Sequence, residues 1–91
     1  MELGLKGKKA IITGGSRGIG LHTGMLLAKE GCSIAFCARS QPEIDSAIEK
    51  IDSQGCGTVE GFQADLEDAE ATRAFVPLAI DALGGVDILV H

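Results

Sequence analysis

The run TGGSRGIG at residues 13–20 constrains this chain more than any other stretch. It follows an apolar pentad, KAIIT at residues 9–13, and leads into a segment with helical spacing. A buried strand that ends in glycines and turns straight into a helix opens a βαβ unit. Gly14, Gly18 and Gly20 allow positive φ in the turn and let another group approach the main chain closely. The helix behind them offers unpaired N–H groups and about half a positive charge. These parts together make a cradle for the pyrophosphate of a dinucleotide, with a plain tight turn as the bland alternative.

Two rival glycine loops are excluded. A P-loop needs GxxxxGK[ST], and no Lys-Ser or Lys-Thr follows these glycines. The GxGxxG form needs glycine at position 23, which is Thr23.

The rest of the chain continues the alternation of strand and helix. Ile19, His22, Thr23, Leu26, Leu27 and Glu30 lie at three-to-four spacing, and Gly31 stops that helix. Gly24 inside it predicts close packing of helix on strand. SIAFCA at residues 33–38 reads as a second buried strand. Ser40 and Glu43 spell a capping box, and Pro42 sits harmlessly in the first turn. Ile44, Ala47, Ile48 and Ile51 give the second helix a narrow apolar stripe, with Gly55 and Gly57 ending it. A third strand spans about residues 58–63, weakened by Gly61. A third helix runs from about 69 to 83, capped by Asp68 and ended by Gly84 and Gly85; Pro77 within it predicts a kink. VDILV at residues 86–90 is the last strand. With no hairpin signal, β-α-β-α-β-α-β predicts parallel strands joined by right-handed crossovers in one module, residues 1–91.

Composition narrows the function classes. Residues 1–40 carry a net +4 and residues 41–91 a net −9, so the basic part is the one holding the glycine loop. No dense Lys/Arg run interleaves with aromatics, which argues against nucleic acid. The longest apolar runs fall far short of the roughly 20 residues of a membrane span, and no signal-peptide core is present. Cys32, Cys37 and Cys56 match no metal or disulfide spacing and read as buried or incidental thiols. A cytoplasmic protein without a metal site is expected.

With TGxxxGxG spacing at residues 13–20, Ala64-Asp65-Leu66, and GGVDILVH at residues 84–91, the chain resembles the short-chain dehydrogenase/reductase family along its whole length. The resemblance implies a Rossmann-type doubly wound parallel α/β sheet, four strands here in the order 3-2-1-4 with three helices. It implies a cofactor loop containing Gly14, Ser16, Arg17, Gly18, Ile19 and Gly20, with Asp65 and Leu66 against adenine and His91 at a strand end near the cofactor. His91 stands where the family's motif usually has Asn, and Pro77 interrupts a helix that is typically unbroken. For Asp65 the bland reading is a helix cap or a solvated carboxylate.

The end of the second strand bears on which dinucleotide is held. NAD-binding units place a carboxylate there, about 20 residues past the glycines, to hold the ribose 2′-OH. This chain has Ala38, Arg39 and Ser40 instead. No carboxylate at that position repels a 2′-phosphate, and the Arg39 guanidinium suits one, with Arg17, Ser16 and Ser40 as further donors. Two such arginines favour NADP(H) over NAD(H) by about a hundredfold, at roughly 1.5–3 kcal/mol per charge-assisted bond. The bland reading of each arginine is a solvated surface residue.

The family's chemistry resembles a Ser–Tyr–Lys arrangement, yet this sequence contains no tyrosine. No catalytic residue is therefore expected within residues 1–91, which read as a cofactor-binding portion cut off before a catalytic half. The complete enzyme the resemblance implies is a homo-oligomeric oxidoreductase acting on a small carbonyl or alcohol substrate. A non-catalytic NADP(H)- or adenylate-binding module is the other reading. In either case the fourth strand is expected at an open edge, with one sheet face lacking helices.

Overall fold

The computed structural model describes residues 4–14, 18–55 and 57–91. Four strands and three helices alternate: β1 (Lys9–Ile12), α1 (Gly18–Lys29), β2 (Ser33–Ala38), α2 (Gln41–Asp52), β3 (Val59–Gln63), α3 (Ala69–Leu83) and β4 (Ile88–Val90). The strands form one parallel sheet in the order β3-β2-β1-β4. This is the Rossmann-type α/β arrangement expected from the sequence. Among the described residues no helix is long and apolar enough to cross a membrane.

Side-chain alternation along the strands divides the core in two. Ala10, Ile12, Ile34, Phe36 and Ala38 face α1 and α2, whereas Ile11, Ala35 and Cys37 face α3. The expectation that one face lacks helices was therefore wrong. From β3 the chain reverses direction to reach β4 beyond β1, and a right-handed crossover then lays α3 on the opposite face. Leu89 pairs in register with Ile11 but is 59% exposed, because α3 lies over β1, β2 and β3. Ile88 and Val90 pack against the α1–α2 core.

Helix α1 buries a different stripe from the one its large residues suggested. Ile19 is 86% exposed and Leu26 is 52% exposed. The buried positions are Gly24 and Ala28, one turn apart. A Cβ on residue 24 would stand 3.1 Å from Ile51 Cδ1 and 3.4 Å from Ile12 Cδ1. Small residues at the contact bring α1 close to both sheet and α2, as Gly24 predicted. The interruption at Gly61 also has a packing cause: a Cβ there would collide with Ile44 of α2 and crowd the ring of Phe36.

The ends of the elements show which local signals hold. The Asp68 side chain caps α3, Oδ1 accepting from the N–H groups of Glu70 and Ala71 at 3.1 Å each. Gly84 ends α3 in the left-handed conformation, its N–H donating to Ile80 O at 2.8 Å. Helix α2 stops at Asp52 on Ser53, short of Gly55 and Gly57. Strand β4 begins two residues later than expected, because Asp87 instead brackets Lys9: its N–H donates to Lys9 O (2.8 Å) and its Oδ2 accepts from Lys9 N (2.9 Å). Replacing Asp68 with Ala is expected to lower stability by about 1 kcal/mol. Urea unfolding measures this, and an unmoved midpoint would contradict the capping role.

Candidate cofactor-binding site

The carboxyl ends of the four parallel strands meet on one edge of the molecule, where doubly wound sheets bind their ligands. β1 delivers Thr13 and Gly14, β2 delivers Arg39, β3 leads to Ala64, Asp65 and Leu66, and β4 ends beside His91. A cleft of about 190 Å³ runs from Gly14 across Ala38 and Arg39 to Asp65 and Leu66. A wider hollow beside it, lined by Thr13, Leu66, Thr72, Arg73 and His91, extends along the α3 side.

Gly14 and Gly18 flank the loop at φ +72° and +62°, conformations that side chains with a Cβ rarely adopt. At Gly14 the missing Cβ also matters sterically, since it would lie 2.6 Å from Leu66 Cδ1. A Cβ on Gly18 would meet nothing within 4 Å among the described residues. Helix α1 starts at Gly18, with Ile19 and Gly20 in its first turn. Its N-terminal N–H groups at the edge of the sheet fit an anionic ligand such as a pyrophosphate. Ser16 and Arg17, expected in this loop from the sequence, lie outside the described residues.

The surrounding side chains are held by short-range bonds. Gln63 Nε2 donates to Arg39 O (3.1 Å), tying the end of β3 to the backbone at the head of the cleft. The Arg39 side chain is exposed. Asp65 Oδ1 accepts from the N–H of Glu67 (2.9 Å), so this carboxylate braces its own turn while lining the cleft; Asp68, not Asp65, caps α3. Thr72 Oγ1 donates to Asp65 O (3.4 Å) and Asp68 O (3.1 Å). On the far side Thr13 Oγ1 contacts His91 Nδ1 (3.3 Å) and donates to Val90 O (3.4 Å).

Ser40 departs from its expected part. Its backbone occupies the N-cap position of α2, but its side chain makes no cap bond. The hydroxyl instead donates to Glu43 Oε1 at 3.2 Å, and Glu43 is half-buried and lines the cleft. The region around Arg39 is therefore not clear of carboxylates, as the strand end alone suggested. Sequence reading placed Glu43 in a cap and not in the cleft lining. The available signal was its position in the first turn of the helix that follows Arg39.

Cys37 lies fully buried beneath this edge, and burial pushes its thiol up despite the opposing N–H groups of Gly14 and Cys37 itself. Cys32 is likewise raised, first by burial and then by the charges of Glu30 and Asp87. Both thiols are free, and in this state neither has nucleophilic character at neutral pH. Cys56 lies outside the described residues. Among those residues no group of three or more His, Cys, Asp or Glu side chains is placed to hold a metal ion.

Comparison with known proteins agrees with this geometry. A family model described as short chain dehydrogenase matches residues 8–91. L-xylulose reductase of Mesocricetus auratus is 36% identical over 91 residues, covering 100% of this chain and 34% of that protein. An uncharacterized oxidoreductase of Bacillus subtilis, YvrD, gives the same identity and coverage. Among solved structures, a short-chain dehydrogenase/reductase from Serratia marcescens superimposes with a TM-score of 0.84 at 37% identity, covering 93% of this chain and 35% of that one. A xylitol dehydrogenase solved with NAD+ bound gives a TM-score of 0.83 at 27% identity, covering 93% and 32% of the two chains. The chain spans about a third of the length of the curated relatives it matches. The loop at the end of β1, the cleft across β2 and β3, and the match over residues 8–91 make this chain a member of the short chain dehydrogenase family.

Proposed function

We propose that this chain is the NADP(H)-binding N-terminal part of a short-chain oxidoreductase that moves hydride between NADP(H) and a small carbonyl or alcohol substrate. The observation that supports the cofactor preference is the pair Ala38 and Arg39 lining the cleft at the end of β2. An exposed guanidinium there meets a 2′-phosphate where NAD-binding units put a carboxylate. In this reading the loop from Gly14 through Ser16, Arg17 and Gly18 to Ile19 and Gly20 takes the pyrophosphate. Arg39 and Arg17, aided by Ser16 and Ser40, hold the 2′-phosphate. Asp65 and Leu66 flank the adenine, and His91 lies beside the cofactor next to Thr13.

The cofactor supplies the hydride; these residues bind and orient it. With no tyrosine among the 91 residues, proton transfer is assigned to a Ser–Tyr–Lys set outside residues 1–91. A cytoplasmic, homo-oligomeric complete enzyme that binds neither nucleic acid nor membrane belongs to the same proposal.

Replacing Arg39 with Ala is expected to weaken NADPH binding about tenfold or more, at roughly 1.5–3 kcal/mol for a charge-assisted bond, and to leave NADH binding nearly unchanged. Fluorescence titration of both nucleotides on the 91-residue chain measures the ratio. An unmoved ratio would refute the role of Arg39 and favour an NAD-type site, such as that of the xylitol dehydrogenase solved with NAD+ bound.

A further inference from the structure

We propose that Gln63 is a positioning residue for the dinucleotide: it anchors the backbone at Arg39 and acts through that residue on the choice between NADPH and NADH. The inference rests on the reading above, that the Arg39 guanidinium meets the 2′-phosphate.

Arg39 stands alone between sheet and helix: β2 ends at Ala38, and Ser40 is already the N-cap of α2. Both peptide groups that flank its Cα are nevertheless held from β3. On one side the Ala38 carbonyl accepts from the Ala64 N–H at 2.9 Å. On the other the Arg39 carbonyl accepts from Gln63 Nε2 at 3.1 Å. Gln63 is the last residue of β3 and pairs in register with Ala38, so its side chain reaches the next carbonyl along β2. Each peptide group is planar, and fixing the planes on both sides of a Cα fixes the direction in which its Cβ leaves. The Arg39 side chain itself is exposed and lines the cleft. With its root held, less freedom is lost when the guanidinium settles on a phosphate. NADH, which has no 2′-phosphate, draws no benefit from that arrangement.

The test is a double-mutant cycle read by fluorescence titration of NADPH and NADH. Gln63→Met keeps the length of the side chain and removes the donor. It is expected to lower the NADPH-to-NADH affinity ratio about fivefold while NADH affinity stays nearly unchanged. Gln63→Asn, which draws the amide back by one methylene, shifts the ratio in the same direction. In an Arg39→Ala background, which keeps the carbonyl, Gln63→Met is expected to leave the ratio where Arg39→Ala alone puts it. Equal losses for both nucleotides, an unmoved ratio, or a shift that persists without the Arg39 side chain would overturn the role of Gln63 and leave the dinucleotide site standing. A ratio that Arg39→Ala alone does not move overturns the reading of Arg39, and this inference with it.

Discussion

A Gly14→Val chain is expected to lose dinucleotide affinity by about a hundredfold while still unfolding in one cooperative transition. Valine at φ +72° is strained whatever its neighbours, because its branched Cβ crowds the backbone in the left-handed region. The same Cβ meets Leu66 Cδ1 at 2.6 Å, so the half-exposed Leu66 side chain must swing aside to admit it. In the proposed reading the strain is relieved by a shift of the chain leading into α1, and the N–H groups at the start of that helix no longer suit the pyrophosphate. Binding has to restore the strained conformation, and the cost appears as lost affinity. The two causes can be separated. In a Gly14→Ala background, adding Leu66→Ala relieves the collision and is expected to recover thermal stability, while affinity stays below that of Leu66→Ala alone, the reference needed because Leu66 also flanks the proposed adenine site. Full recovery of NADPH binding in that double variant would show that the collision, not the dihedral angle, controls the loop. Affinity within threefold of the parent chain in Gly14→Val would remove the loop from the site.

Features that are local in the chain were legible before any coordinates. The apolar runs of β1 and β2, the glycine stops at Gly31 and Gly84 and the Asp68 cap each depend on neighbours a few residues away. The strand order followed from the family resemblance, and the side taken by α3 follows from crossover handedness once that order is applied. What escaped reading depends on distant partners. The buried stripe of α1 is set by how Gly24 fits against Ile12 and Ile51, residues of two other elements, and not by its own largest side chains. The weakness assigned to Gly61 overlooked the space that Phe36 and Ile44 require. Ser40 and Glu43 form the same sequence pattern whether the hydroxyl caps the helix or serves the carboxylate. The centre of the phosphate loop, with Ser16 and Arg17, is supported by the sequence alone.

The largest loss of stability is expected from Phe36→Ala, about 3–5 kcal/mol. A chain of this size has roughly 5–13 kcal/mol in total, so the variant would populate unfolded molecules at modest urea concentrations. Phe36 is fully buried on β2, which is hydrogen-bonded on both sides, to β1 through Ile12 and to β3 through Gly61. Its ring reaches over its β3 partner: a Cβ on residue 61 would stand 3.1 Å from Phe36 Cζ. The ring thus occupies space that a side chain on β3 would otherwise fill, beneath Ile44 and Ile48 of α2. Truncation leaves a cavity bounded by strands on one side and α2 on the other, and neither can collapse without breaking the register that brings Arg39 and Asp65 to one edge. Gly61→Ala should not rescue the variant, because the new methyl group still collides with Ile44. Phe36→Leu, which retains most of the volume, should cost much less. Urea midpoints for the four chains test this account; a loss below about 1 kcal/mol for Phe36→Ala would mean that the core can close over the gap.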